Sequence, residues 1–137
     1  MAEVKSKDYM INEGNKIGYM PTEFGADGKL IETKIVAGAA IKKGQVVEIT
    51  ADMTVSPTTA ASDKVLGVAM FDVEKGDPVT VETEGLFKLT AGASITAGSH
   101  IESAADGAVA TSSGSNAIGI ALNDAAKDDN VFVKFSI

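Results

Sequence analysis

The plainest pattern in the chain lies near its C-terminal end. Val131, Val133, Phe135 and Ile137 alternate there with Lys134 and Ser136. Alternation with period two sends successive side chains to opposite faces, so this run predicts a strand with one face in a core. Phe132 breaks the pattern, being apolar on the polar face. Shorter β-rich runs precede it: Gln45–Thr50, Val65–Ala69, Pro78–Thr83 and Leu86–Leu89. Turn residues separate them, at Lys43-Gly44, Lys75-Gly76-Asp77, Glu84-Gly85, Ala97-Gly98 and Asp106-Gly107. Short strands punctuated this often predict an all-β fold, a small barrel or sandwich. The Ala-rich pieces Ala60–Asp63 and Asn123–Lys127 are too short for a stable helix and predict one helical turn or a loop each.

The first part of the chain has another texture. Tyr9, Met10, Ile11, Ile17, Tyr19, Met20 and Phe24 are interrupted by Gly14, Gly18, Pro21, Gly25 and Gly28, with no period of 3.6 or 2. Residues 1–34 are expected to form an extended N-terminal arm that orders against a partner, and residues 35–137 the β domain. Those seven apolar residues are the candidate contacts with a partner or a neighbouring copy. A second reading stays open, in which they are core residues of an added hairpin. Gly25-Ala-Asp-Gly28 is too short for a phosphate loop and lacks its Gly-Lys-Ser/Thr, so it reads as a turn closing the arm.

The β domain contains a duplication, about 41–84 and 95–136. Ile41-Lys-Lys-Gly44-Gln-Val-Val47-Glu48 matches Ile95-Thr-Ala-Gly98-Ser-His-Ile101-Glu102 at an offset of 54. Ala51-Asp52 then matches Ala105-Asp106, and Val55 matches Val109. After a two-residue gap, Gly67-Val68-Ala69 matches Gly119-Ile120-Ala121, and Asp72, Lys75, Asp77, Val79 and Val81 match Asp124, Lys127, Asp129, Val131 and Val133. One such unit would leave an apolar face open, and two pseudo-repeated units packed together would close it.

Composition narrows the chemistry. The chain has 137 residues, 45% of them hydrophobic, which suffices for a core. It has no cysteine, so disulfides, thiolate metal sites and Cys nucleophiles are excluded. Its formal charge is -7, and all twelve basic residues are lysines. An acidic chain without arginine is not expected to bind nucleic acid or an anionic membrane. No run approaches the roughly 18 apolar residues of a membrane span, and the polar start shows no secretory signal, so synthesis in the cytoplasm is expected. His100, the one histidine, falls opposite Val46 in the duplication and reads as a plain strand residue, although Glu102 or Asp106 would be its partner in acid–base or metal chemistry. Asp124, Asp128 and Asp129, with Asp72, Glu74 and Asp77 in the first copy, fit no EF-hand spacing and read as solvated turns. No catalytic, cofactor-binding or metal-binding residue is expected, and the chain is not expected to be an enzyme.

The stretch from Val36 to Ile137 resembles the phage capsid cement, or head decoration, proteins. The resemblance lies in an ordered series: Ile41-Lys-Lys-Gly-Gln-Val-Val47, Val65-Leu-Gly-Val-Ala69, Lys75-Gly-Asp-Pro-Val-Thr-Val81, Glu84-Gly-Leu-Phe-Lys-Leu89, Ile95-Thr-Ala-Gly98, Ile118-Gly-Ile-Ala121 and Val131-Phe-Val-Lys-Phe135. It implies a β-rich knob on the outer surface of the virion capsid. It also implies the major capsid protein and neighbouring copies as partners, commonly in a homotrimer, with the N-terminal arm reaching along the shell. The family has no catalytic residues to carry over. The alternative is a small carrier or interaction module of the biotinyl/lipoyl or SAF type, to which Ala40–Val47 is similar. No Met-Lys-Met or Asp-Lys-Ala hairpin presents a lysine for modification.

Overall fold

Ile41 and Ile95, each followed three residues later by a glycine, start the same turn twice. In the computed structural model, which describes residues 23–24, 30–31 and 34–136, Gly44 and Gly98 have φ of +90° and +85°. That left-handed conformation costs a residue with a Cβ about 1–2 kcal/mol. The Gly44 N–H donates to Ala69 O and the Gly98 N–H to Ala121 O, both at 2.8 Å. Each turn is also held by a carboxylate: Asp72 Oδ1 accepts from Lys43 N–H (2.7 Å), and Asp124 Oδ1 from Ala97 N–H (2.8 Å).

Around these turns the described residues form twelve strands: β1 (Glu23–Phe24), β2 (Leu30–Ile31), β3 (Val36–Ala37), β4 (Val46–Ala51), β5 (Thr54–Pro57), β6 (Val65–Ala69), β7 (Val81–Glu82), β8 (Gly85–Thr90), β9 (His100–Ser103), β10 (Val109–Thr111), β11 (Gly119–Ala121) and β12 (Asn130–Phe135). One 3-10 turn, Ala105–Gly107, is the helical element among them. Neither Ala-rich piece forms a helix. β1 and β2 pair antiparallel, Phe24 opposite Leu30. The remaining strands make two five-stranded sheets, ordered β3-β5-β4-β6-β7 and β10-β9-β11-β12-β8.

The two sheets are built alike. β4, β5, β6 and β7 correspond to β9, β10, β11 and β12. The duplication also begins earlier than the sequence match at Ile41 and Ile95. Ala37 pairs parallel with Val55, and Ala91 pairs parallel with Val109. Gly38 N–H donates to Val55 O (2.8 Å) as Gly92 N–H does to Val109 O (2.7 Å). The first unit (residues 35–83) buries Ile35, Ala37, Ile41, Val47, Val55, Ala69, Val79 and Val81 in one cluster. The second (residues 89–135) buries the matching Leu89, Ala91, Ile95, Ile101, Val109, Ala121, Val131 and Val133. This second cluster also takes in Ile118 and Phe135, together with Val46 and Val68 from the first unit. The units are thus joined through the back of the first sheet.

Side chains that bond to backbone across the joint fix its geometry. Thr58 Oγ1 donates to Ala104 O (2.8 Å), Ser103 Oγ to Ala60 O (2.8 Å) and Gln45 Nε2 to Asp106 O (3.0 Å). Thr58 and Ser103 are buried. Thr58→Val keeps the shape but leaves the Ala104 carbonyl without this donor. It is expected to cost about 1–2 kcal/mol, read as a lower urea midpoint with an unchanged slope.

Candidate interaction surfaces

Strand β12 puts Val131, Val133 and Phe135 inward and Phe132 and Lys134 outward. Phe132, the exception in the alternation, is 49% exposed. Its neighbours across the sheet extend the feature. Lys134 sits between Ile120 on β11 and Leu86 on β8, and Ile120 lies opposite His100 on β9. Phe132 lies opposite Lys88, and its carbonyl accepts from Leu122 N–H at 2.8 Å. Asn123 holds this end of the sheet, its Oδ1 accepting from Phe132 N–H (2.7 Å) and its Nδ2 donating to Asp124 O (2.9 Å).

The outer face of the second sheet therefore carries Leu86, Ile120, Leu122 and Phe132, interleaved with Lys88, Lys134 and His100. Of the seven large hydrophobic side chains exposed among the described residues, these four share one face. Contiguous exposed apolar side chains rimmed by polar ones mark an interaction surface, whereas scattered ones do not. The other three, Ile49, Met53 and Phe71, belong to the first unit. A groove of about 690 Å³ runs between the units, with Lys42, Lys43, Lys88 and Lys127 on its walls beside Asp106 and Asp128.

Of the residues singled out from the sequence, Tyr9, Met10, Ile11, Ile17, Tyr19 and Met20 lie outside the described residues. Phe24 is described only through the pairing of its backbone with Leu30. His100 is exposed on β9 opposite Ile120. No group of three or more metal-ligating side chains occurs among the described residues. The Asp77 carboxylate accepts Glu74 N–H within its own turn, and those of Asp72 and Asp124 accept Lys43 N–H and Ala97 N–H from the glycine turns. The sequence reading passed over the face around Phe132. Its signal was there, in an apolar residue on the wrong side of an otherwise strict alternation, and in the adjacent pair Leu86-Phe87.

Comparison with known proteins gives this arrangement a context. The family model described as phage cement protein matches residues 25–137, which takes in both units and begins within the segment assigned to the arm. Among solved structures, the N base of the head fiber gp8.5 of bacteriophage phi29 matches with a TM-score of 0.60 and 22% sequence identity. The match covers 74% of this chain and 90% of that one. At that identity the likeness is one of fold. No curated protein sequence matches the chain.

Proposed function

This chain belongs to the phage cement proteins, and from that membership we propose that it coats the outer surface of the capsid, gripping the major capsid protein and neighbouring copies of itself. Its role is structural: it associates with the phage head and decorates it. The observation that carries this is the family match across both β units. The finer reading is a homotrimer, made in the host cytoplasm and added to the shell, with no catalytic function. Composition supports it, since a chain without Cys or Arg and with a single His offers little chemistry, and its charge of -7 favours solubility at high copy number. The carrier alternative has no comparable support.

In this reading residues 1–34 hold the shell. Tyr9, Met10, Ile11, Ile17, Tyr19, Met20 and Phe24 are the contacts with capsid or neighbour. Large apolar anchors and backbone pairing along a sheet edge supply the affinity of such an arm, and many copies on one shell turn modest contacts into avidity. Purified protein is expected to co-sediment with shells of its phage and to saturate at a fixed ratio. A version lacking residues 1–34 is expected to bind about tenfold or more weaker, a loss of about 1.4 kcal/mol or more. Full-strength binding without the arm would remove its assigned role, and no binding by the intact chain would remove the function.

A further inference from the structure

The two units share their hydrogen-bond pattern and their core, so equivalent surface positions can be compared directly. On the back of the first sheet Val46, Val68 and Thr80 are 0%, 2% and 4% exposed. Val46 and Val68 are cross-strand neighbours, and both belong to the core cluster of the second unit. The second unit is what covers this face. On the back of the second sheet the equivalent positions are His100, Ile120 and Phe132. His100 and Ile120 are again cross-strand neighbours, yet all three are exposed. One surface thus occurs twice in the chain, covered in the first unit and uncovered by any described element in the second.

We propose that the face of Leu86, Ile120, Leu122 and Phe132 is covered by the first unit of a second copy of this chain, as the second unit covers the first within one copy. Two observations favour that occupant. The first unit is built on the same eight core positions as the unit that covers Val46 and Val68, with half-buried Leu66 and Thr83 standing where that unit has Ile118 and Phe135. The charges also fit: Lys88 and Lys134 border the uncovered face, while residues 35–83 carry four lysines against seven carboxylates.

The contact joins two different surfaces, so it is head-to-tail. Such contacts close into rings or run into fibres and do not make twofold dimers. This deepens the self-association named in the proposed function, and it stands or falls apart from shell binding, which is read in a separate assay.

The absence of cysteine makes the test clean. Molar mass in solution is measured for the full chain and for Phe132→Asp and Leu122→Asp, with circular dichroism to confirm that each variant folds. Single-cysteine variants Ile120→Cys and Thr83→Cys are then oxidised separately and mixed. The expected result is a wild-type oligomer, folded variants that are monomeric, and disulfide-linked pairs only when the two cysteine variants are combined. Ile120→Cys linking to itself, folded variants that keep the wild-type mass, or a wild-type chain that is monomeric at every concentration would overturn the proposal. The last outcome would leave the arm or the capsid protein as the occupant of the face.

Discussion

Replacing Gly67 with alanine is expected to destabilise the protein by about 3 kcal/mol or more, and Gly119→Ala is expected to do the same. Both glycines occupy the same place in their units, where the neighbouring strand passes too close for a Cβ. At Gly67 that atom would lie 2.2 Å from Glu82 O and 2.7 Å from Val81 Cγ1. At Gly119 it would lie 2.3 Å from Lys134 O and 3.0 Å from Val133 Cγ1. A carbonyl within a sheet cannot retreat as the end of a flexible side chain can. Relief requires β6 to part from β7, or β11 from β12, and those seams border the two cores. The loss of freedom in the unfolded chain, worth about 0.4–1 kcal/mol in favour of alanine, is too small to compensate. Gly76→Ala separates sterics from backbone preference. Gly76 has φ of +90°, but a Cβ there meets nothing within 4 Å, so the cost should be only about 1–2 kcal/mol. Urea unfolding should place Gly67→Ala and Gly119→Ala together, with midpoints well below that of Gly76→Ala. Equal midpoints would show that the close approach is not what these positions require.

Phe135→Ala is expected to cost about 3–5 kcal/mol, lowering the melting temperature by roughly 10–20 °C. Phe135 is 1% exposed and is the largest fully buried side chain among the described residues. Its ring meets Phe87 edge-on, with centroids 5.8 Å apart and planes at 89°. It shares a cluster with Val46 and Val68 of the first unit as well as with its own unit. The cavity therefore opens at the joint, and both units lose packing together. Phe132→Ala, three residues earlier on the opposite face, is expected to change the stability of the monomer by no more than about 0.5 kcal/mol. A comparable loss at both positions, measured by calorimetry in the monomeric Leu122→Asp background, would contradict the assignment of faces.

Much of this architecture is legible in the sequence, for identifiable reasons. Strands β4, β6 and β12 announce themselves because each alternates or is rich in β-branched residues, and β8 because an apolar run follows the turn at Glu84-Gly85. The duplication is legible from Ile41 and Ile95 onward because the turn demands Gly44 and Gly98, and the strand approach demands Gly67 and Gly119. Its earlier portion is not, because Ala37-Gly38 and Ala91-Gly92 are ordinary small residues. Their role comes from parallel pairing with Val55 and Val109, and no local period encodes a long-range parallel bridge. The exposed face was half legible. Phe132 stood out in the alternation, and His100 stood opposite Val46 in the repeat. That one is bare and the other buried depends on which unit covers which sheet, and this is decided by the joint at Gln45, Thr58 and Ser103. The apolar residues from Tyr9 to Met20 were read from composition and the absence of a period, and they lie outside the described residues.

A phage cement protein strengthens the head by binding to it. The most direct test compares shells of its phage made without the protein, and the same shells after adding it back, by the temperature at which they come apart. Added protein is expected to bind in a fixed ratio and to raise that temperature, with the gain levelling off once the sites are full. Shells that bind the protein yet come apart at the same temperature, or shells that do not bind it, would contradict it.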